Sequence, residues 1–409
     1  MTFIDLFAGI GGFRRGLELA GHKCVGFCEW DKYAAASYIS MHLITNAQRA
    51  ELSAMSLKQR QKEILKEVYR NGEFYSNDVR FLTADNIPRA DCWTFGAPCQ
   101  DFSVAGKRKG LEGDRSSLVR QIFRILSELK EENKPEWLVY ENVKGMLSSN
   151  RGFDFLAILV EMGDLGYDIE WELFNTKNFG IPQNRERVYV IGHLRSKGRK
   201  QIFPLKRTSR KDNNSKINFD PDKCEMFGID FNPQGEPRQI ANTVMSRYYK
   251  GMAQRRRSET AVVIPVATVG RATKDQNGRR FKENNEPQFT LTVQDQHGVA
   301  LGFINPEQDG SCRTIKAQQA FNTASNFVRT DSFGATGVEV AWYEKANCYV
   351  AIRKLTPKEC FRLQGWSDDY FEKAAFVNFD SQLYKQAGNG VTVAVVEEIG
   401  KAIKEVENE

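Results

Sequence analysis

Histidine is scarce in this chain, and its cysteines are never paired at short spacing. The four histidines stand at 22, 42, 193 and 297, and the eight cysteines at 24, 28, 92, 99, 224, 312, 348 and 360. No C-x-x-C pair and no completing histidines occur, so the usual structural zinc patterns are excluded and no metal is expected. Dispersed thiols in a chain of 409 residues also argue against a disulfide framework and for a reducing compartment with mostly buried cysteines. No apolar run approaches the roughly 20 residues needed to span a bilayer. Met1 leads directly into FIDLF, without a basic, cleavable leader, so the expectation is a soluble, cytoplasmic protein with no membrane partner. Excess charge of either sign is also missing. Lys and Arg total 58 against 52 Asp and Glu, for a net +6, too little to identify a partner. Hydrophobic residues at 41% and charged residues at 27% are globular proportions and rule out a mainly disordered chain.

The length suits two domains, or one domain carrying a large insertion. The first half alternates short apolar runs with amphipathic segments, the pattern of a parallel sheet flanked by helices. Candidate strands are Phe3–Leu6, Lys23–Glu29, Cys92–Phe95, Trp137–Tyr140, Ile169–Phe174 and Val188–Gly192; candidate helices are Phe13–Ala20, Leu118–Glu131 and Phe155–Leu165. Ala47 to Arg70 reads as a polar helical insertion at the surface. From about Lys206 the alternation stops and Asn, Gln, Gly, Thr and Arg accumulate, which fits short strands joined by polar loops. Weak self-similarity relates Glu236–Gly251 to Glu286–Gly298, with Cys312–Gln319 as a third copy. Helical pattern returns at Pro357–Gly365 and Val391–Val406. The expected division is a catalytic domain over 1–205, an inserted irregular, β-rich domain over 206–351, and completion of the first domain by 352–409. The insert concentrates charge: Arg238 to Lys282 holds 11 basic and 2 acidic residues, a surplus larger than that of the whole chain. That marks a candidate phosphate-facing surface beside the blander reading of a solvated face.

Four segments carry chemistry. In FIDLFAGIGGFRRGLELAG a strand, a glycine-rich turn and a helix follow one another, and Gly9, Gly11 and Gly12 permit close backbone approach of a ligand at a helix N-terminus. Glu29, twenty residues after Gly9, ends the next strand, where α/β nucleotide sites place a carboxylate on ribose hydroxyls, and Trp30 offers a face to a flat base. In GAPCQDFSVAGKRKGL, Cys99 lies between Pro98 and Gln100 on a loop rich in glycine and lysine, surroundings that favour a thiolate. Cys99 is therefore the candidate nucleophile, and the other cysteines are read as buried or incidental. Glu141 closes a third apolar strand, and Arg185 and Arg187 alternate along a fourth segment, IPQNRERVYVIG, so they are expected to point the same way.

Taken together, DLFAGIGG, PCQ, ENV, QNRER and the GN of QAGNGVTVAVVEEIG resemble the DNA cytosine-5 methyltransferase family in content and order, over well more than half of the chain. The resemblance implies a Rossmann-like, S-adenosylmethionine-dependent α/β fold with a target-recognition insert. It implies that Cys99 adds to carbon 6 of a flipped-out cytosine, that Glu141 holds and protonates N3, that Arg187 contacts O2, and that Pro98 and Gln100 shape the loop. Phe7, Gly9, Ile10, Gly11 and Gly12 would line the methionine side of the cofactor, Glu29 the ribose, Trp30 and Asp85 the adenine, with Leu118 and Asn389 completing the pocket. Asn389 can do so only if the C-terminal helix packs beside the N-terminal one. Arg247, Arg255, Arg256, Arg257, Arg279 and Arg280 are candidates for phosphate or guanine contacts.

The leading expectation is a monomeric enzyme that methylates carbon 5 of cytosine within a short duplex DNA sequence. It would meet the nucleoid through DNA and act as an orphan or beside a separately acting restriction endonuclease. Two other readings stand beside it: a tRNA cytosine-5 methyltransferase, and a catalytically inactive DNA-binding regulator.

Overall fold

The computed structural model describes residues 1–97, 118–198, 200–205 and 355–408, and the backbone of six strands between 229 and 354. Pro98, Cys99 and Gln100, the six candidate DNA-contacting arginines and most of the self-similar segments lie outside the described residues. Two compact units are present. One comprises Met1–Ile181, Arg185–Ser209 and Leu363–Glu409; the other comprises Pro182–Asn184 and Arg210–Arg362.

The first unit is built on seven strands: β1 (Thr2–Leu6), β2 (Lys23–Cys28), β3 (Phe74–Ser76), β4 (Cys92–Phe95), β5 (Trp137–Val143), β6 (Tyr167–Asn175) and β7 (Glu186–Leu194). They form one sheet in the order β3-β2-β1-β4-β5-β7-β6. All are parallel except β7, which runs against both of its neighbours. The chain moves outward from β1 to β3, then returns to place β4 on the other side of β1. The connections after β1 and β4 thus leave in opposite directions, and the crevice outside their carboxyl ends is where open α/β sheets bind ligands.

The core follows from strand periodicity. Leu138 and Tyr140 of β5 face one layer with Ile4, Leu6, Trp93 and Phe95, while Trp137 and Val139 face the other with Phe3 and Cys92. Helices α5 (Leu118–Glu128) and α6 (Phe153–Asp164) cover the first face, and α1 (Gly12–Leu19) covers the second. Between them in sequence lie α2 (Lys32–His42), α3 (Asn46–Ser53) and α4 (Leu57–Glu63). Capping boxes at Thr45/Gln48 and Ser56/Gln59 start α3 and α4, so the polar insertion is two short, separately nucleated helices.

At the chain's end follow α7 (Pro357–Arg362), which belongs to the second unit, then α8 (Asp368–Ala375), α9 (Asp380–Asn389) and α10 (Val393–Glu407) of the first. Val395, Val396, Ile399 and Ile403 of α10 join Phe13 and Leu17 of α1 in one core. The two helices meet at glycines. A Cβ on Gly16 would stand 2.5 Å from Val396, and one on Gly400 would stand 2.8 Å from Ala20. The last helix therefore packs beside the first, the proximity needed to bring Asn389 to the β1 turn.

The second unit contains a four-stranded antiparallel sheet in the order β10-β11-β13-β12 and a pair, β8-β9. Their ranges are β8 (Ile229–Phe231), β9 (Pro237–Ala241), β10 (Thr260–Val266), β11 (Gly298–Ile304), β12 (Glu339–Tyr343) and β13 (Cys348–Lys354). No described helix is long and apolar enough to cross a membrane.

Candidate active site

The β1 turn is held in an uncommon backbone conformation. Phe7, Gly9 and Gly11 have φ of 58°, 56° and 83°. For Phe7, a non-glycine residue, this costs about 1–3 kcal/mol that the surrounding structure must offset, a strain that gathers at functional sites. Gly11 has a second reason to be glycine, since a Cβ there would stand 2.5 Å from His42 Nε2. That nitrogen donates to the carbonyl of Ile10 at 3.0 Å, and burial holds the His42 imidazole well below its usual range, hence neutral. Ile10 itself is buried. A Cβ on Gly9, by contrast, would meet nothing within 4 Å among the described residues.

Glu29, one residue beyond β2, reaches back to this turn. Its carboxylate accepts from Gly9 N–H at 2.7 Å and from Asp31 N–H at 2.6 Å. Burial pushes the Glu29 carboxyl up to about 7, against the pull of those two N–H groups. Next to it Trp30 is 64% exposed, with the Arg80 guanidinium 4.7 Å from its ring centroid. On the neighbouring strand, two residues past β3, the buried Asp78 accepts from Arg80 N–H at 2.9 Å and pairs with the Arg80 side chain at 2.6 Å. The carboxyl ends of β2 and β3 thus each carry a carboxylate, with an exposed indole between them in sequence. Leu118, the first residue of α5, is half-buried against the core, and Asn389, the last of α9, is exposed.

The second cluster lies on β5 and β7. Glu141 is inside β5, which continues through Val143, and its register partner is Tyr189. Arg187 faces Val143, so it is diagonal to Glu141 on one side of the antiparallel pair. Arg187 Nε lies 3.1 Å from Glu141 Oε1, with both side chains mostly buried. Burial raises the Glu141 carboxyl, opposed by the charges of Arg187 and Arg185. Glu141 Oε2 would lie 3.3 Å from a Cβ on Gly96, three residues before Cys99 in sequence.

The charges of Arg185 and Arg187 both reach Glu141, but their hydrogen bonds differ. Arg185 precedes β7 and is 2% exposed; its Nη2 donates to the carbonyls of Gly388 at 3.2 Å and Gly390 at 2.8 Å. It thus grips the residues on either side of Asn389, while Arg187 grips Glu141. Asp85 is likewise elsewhere. It is exposed, and Ala84 N–H beside it bonds Glu128 at the C-terminal end of α5. A helix joining two parallel strands runs against them, so Asp85 lies toward the strand beginnings, at the opposite edge of the sheet from Glu29. Asp78 is the carboxylate at the ligand-binding edge. Its signal in the sequence was the aromatic pair Phe74-Tyr75 followed by Ser-Asn-Asp, a three-residue strand with too little apolar length to stand out. Cys24 and Cys28, buried, have thiols pushed up to about 12 by burial, and the buried Cys92 is raised as well. All three are therefore inert at neutral pH.

A sequence profile of C-5 cytosine-specific DNA methylases matches residues 1–405. The chain belongs to that family. Among its relatives, the orphan methyltransferase M.SPRI of Bacillus phage SPR is 28% identical, over 98% of this chain and 97% of that one. The type II methyltransferase M.HpaII of Haemophilus parainfluenzae is 30% identical, over 99% of this chain and 89% of that one. In fold, the methylase is similar to the Entamoeba histolytica methyltransferase EhMeth (TM-score 0.55, 17% identity, 100% of this chain and 99% of that one). It is similar also to the Dnmt2 methyltransferase of S. pombe (TM-score 0.54, 17% identity, 100% of both chains). The enzyme is thus a DNA (cytosine-5)-methyltransferase; the RNA-modifying and inactive-regulator readings draw no support from these relationships.

Proposed function

We propose that this methylase transfers a methyl group from S-adenosylmethionine to carbon 5 of a cytosine flipped out of duplex DNA at a short specific sequence, through a covalent adduct with Cys99. The observation that carries the reading is the Glu141–Arg187 pair beside Gly96, three residues before Cys99 in sequence. The cofactor fits the other cluster. Among the described residues, the unfilled space over Gly9, a carboxylate at the ends of both β2 and β3 and the exposed Trp30 ring supply what an amino acid chain, a ribose diol and an adenine require. Phe7, Gly9, Ile10, Gly11 and Gly12 would hold the methionine end and Glu29 the ribose hydroxyls. Asp78, in the place first expected of Asp85, would accept from the adenine amino group beside Trp30, with Leu118 and Asn389 closing the pocket. When bound, S-adenosylmethionine supplies an electrophilic methyl on its sulfonium.

The protein's own steps follow from cytosine chemistry. Carbon 5 is a weak nucleophile until carbon 6 is saturated, so Cys99 thiolate adds at carbon 6 while Glu141 gives a proton to N3. A carboxyl raised by burial is suited to carry that proton, and Arg187, at O2, limits how far the pKa rises. Once carbon 5 carries the methyl group its proton passes to water, the freed electron pair restores the C5–C6 double bond and expels Cys99 as thiolate, and Glu141 takes back the N3 proton. Arg247, Arg255, Arg256, Arg257, Arg279 and Arg280 would meet the duplex. A restriction endonuclease, where one accompanies the methylase, acts separately. The test is transfer of labelled methyl from S-adenosylmethionine to mixed-sequence duplex DNA. Wild type should label cytosine at carbon 5 within one sequence, and Cys99→Ala should not. Label on adenine or on a cytosine amino group would overturn the proposal.

A further inference from the structure

A cation from the far end of the chain reaches the neighbourhood of Glu29. Lys385, in the last turns of α9, pairs with Asp31. Asp31 in turn is the N-cap of α2, accepting from Tyr33 N–H at 2.8 Å and Ala34 N–H at 3.4 Å, and its own N–H donates to Glu29 Oε1 at 2.6 Å. Lys385, Asp31 and Glu29 thus form a relay from α9 through the start of α2 to the carboxylate behind the glycine turn. We propose that Lys385 is a positioning residue for cofactor binding: by pairing with Asp31 it offsets the like charge beside Glu29 and keeps that carboxylate aimed to accept from the ribose hydroxyls. The inference rests on the reading of Glu29 as the ribose ligand.

Three observations support it. First, Asp31 is a like charge next to Glu29, and Lys385 faces both; Asp31 pushes the Glu29 carboxyl up and Lys385 pulls it down. Burial alone would raise the Asp31 carboxyl too, yet the hydrogen bonds from Lys385 and Tyr33 N–H bring it below its ordinary value. Second, the other titratable groups facing Glu29 from the neighbouring strands are all neutralised in the same direction, by burial. Cys28 on β2 and Tyr75 on β3, whose hydroxyl donates to the Glu29 carbonyl at 3.3 Å, are each pushed up to about 12 by burial. Asp5 on β1, fully buried, has its carboxyl raised well above the usual range. Third, α9 does not need Lys385 to dock. Gln386 Nε2 donates to Tyr33 O at 3.0 Å, Ser37 Oγ donates to Gln386 Oε1 at 3.0 Å, and Asn378 Nδ2 donates to Tyr33 O at 2.8 Å. A pair with Lys385 half-exposed adds little to stability by itself; its effect is expected on Glu29.

The experiment is calorimetric binding of S-adenosylmethionine from pH 6 to pH 9 by wild type, Lys385→Met, Lys385→Arg and Glu29→Gln, each variant expressed as a ratio to wild type so that the ligand's own titration cancels. Loss of the cation is expected to raise the Glu29 pKa, which makes Lys385→Met weaker by about two-fold or more at pH 7 and nearly equal to wild type at pH 9. Lys385→Arg should track wild type throughout. A Lys385→Met defect of the same size at every pH, or none at all, would overturn the inference, the first outcome showing that Lys385 only packs α9. A Glu29→Gln variant that binds like wild type at pH 9 would instead overturn the ribose reading itself.

Discussion

At the scale of single residues, the two glutamates of the site are tuned by burial and then restrained by different partners. For Glu29 the consequence for stability has a definite sign. Its carboxyl moves from 4.5 to about 7 on folding, so between those values the native state holds a proton that the unfolded chain has lost. Stability from this group is therefore present below about pH 4.5 and declines as pH rises through 7. Glu29→Gln should remove the decline and gain about 1–2 kcal/mol over wild type at pH 8, a figure reduced for the residue's partial exposure. Urea denaturation at pH 5 and pH 8 measures it, and equal gains at both would contradict it. Glu141→Gln cannot give a proton to N3, and methyl transfer should fall by roughly 10²–10⁴ with duplex binding retained. The two arginines should separate cleanly. Arg185→Met removes the donor to the buried Gly388 carbonyl and the partly buried Gly390 carbonyl and should cost about 1–3 kcal/mol of stability. Arg187→Met should instead spare the fold and depress transfer, because its partner is Glu141; a variant that unfolds more readily than Arg185→Met would reverse the assignment.

At the scale of elements, legibility in the sequence depended on whether burial was one-sided. β1, β4 and β5 were readable because their apolar runs end abruptly at glycine or charge. The α1 segment was readable because Phe13 and Leu17 make one stripe beside a glycine turn. The segment KYAAASYISMH was not read as a helix, although it forms α2, because Ala34 through Met41 are buried all round and no stripe appears. β3 was missed for its length, and with it Asp78. α8 and α9 were also missed, their short amphipathic patterns lying between two stronger signals. Even where the strand was seen, its extent mattered. Continuing β5 through Glu141 to Val143 is what sets Glu141 diagonal to Arg187, and starting β7 at Glu186 is what frees Arg185 to turn toward the Asn389 loop. The close fit of α1 on α10 yields a further prediction. Gly16→Val would force atoms into Val396, already 2.5 Å from a Cβ. Overpacking of this kind should lower stability by about 1–3 kcal/mol, read as a lower urea midpoint. An unchanged midpoint would mean that the helices move apart without cost.

At the scale of the whole molecule, the residues proposed for chemistry and those proposed for recognition lie in different stretches of chain. The residues proposed to hold cofactor and cytosine sit in the first unit, at the edge of one mostly parallel sheet. The excess positive charge sits in the inserted stretch from Arg238 to Lys282. If that stretch neutralises phosphates, duplex affinity should fall steeply with salt, by about 0.9 in the log–log slope for each contact. Replacing Arg255, Arg256 and Arg257 with Ala should then flatten the slope by roughly 2–3 while leaving S-adenosylmethionine binding unchanged. Weaker binding with an unaltered slope would argue against phosphate contacts. The central claim remains the covalent step at Cys99, and trapping it is the most direct test. Duplex DNA of mixed sequence containing 5-fluorocytosine would be incubated with the methylase and S-adenosylmethionine, and the products denatured. Fluorine at carbon 5 blocks the loss that releases the enzyme, so wild type should remain bound to DNA after denaturation, Cys99→Ala should not, and sequencing the trapped DNA should return one recognition sequence. Wild type that methylates ordinary duplex yet leaves no adduct on the fluorinated one, or an adduct that survives in Cys99→Ala, would contradict the account.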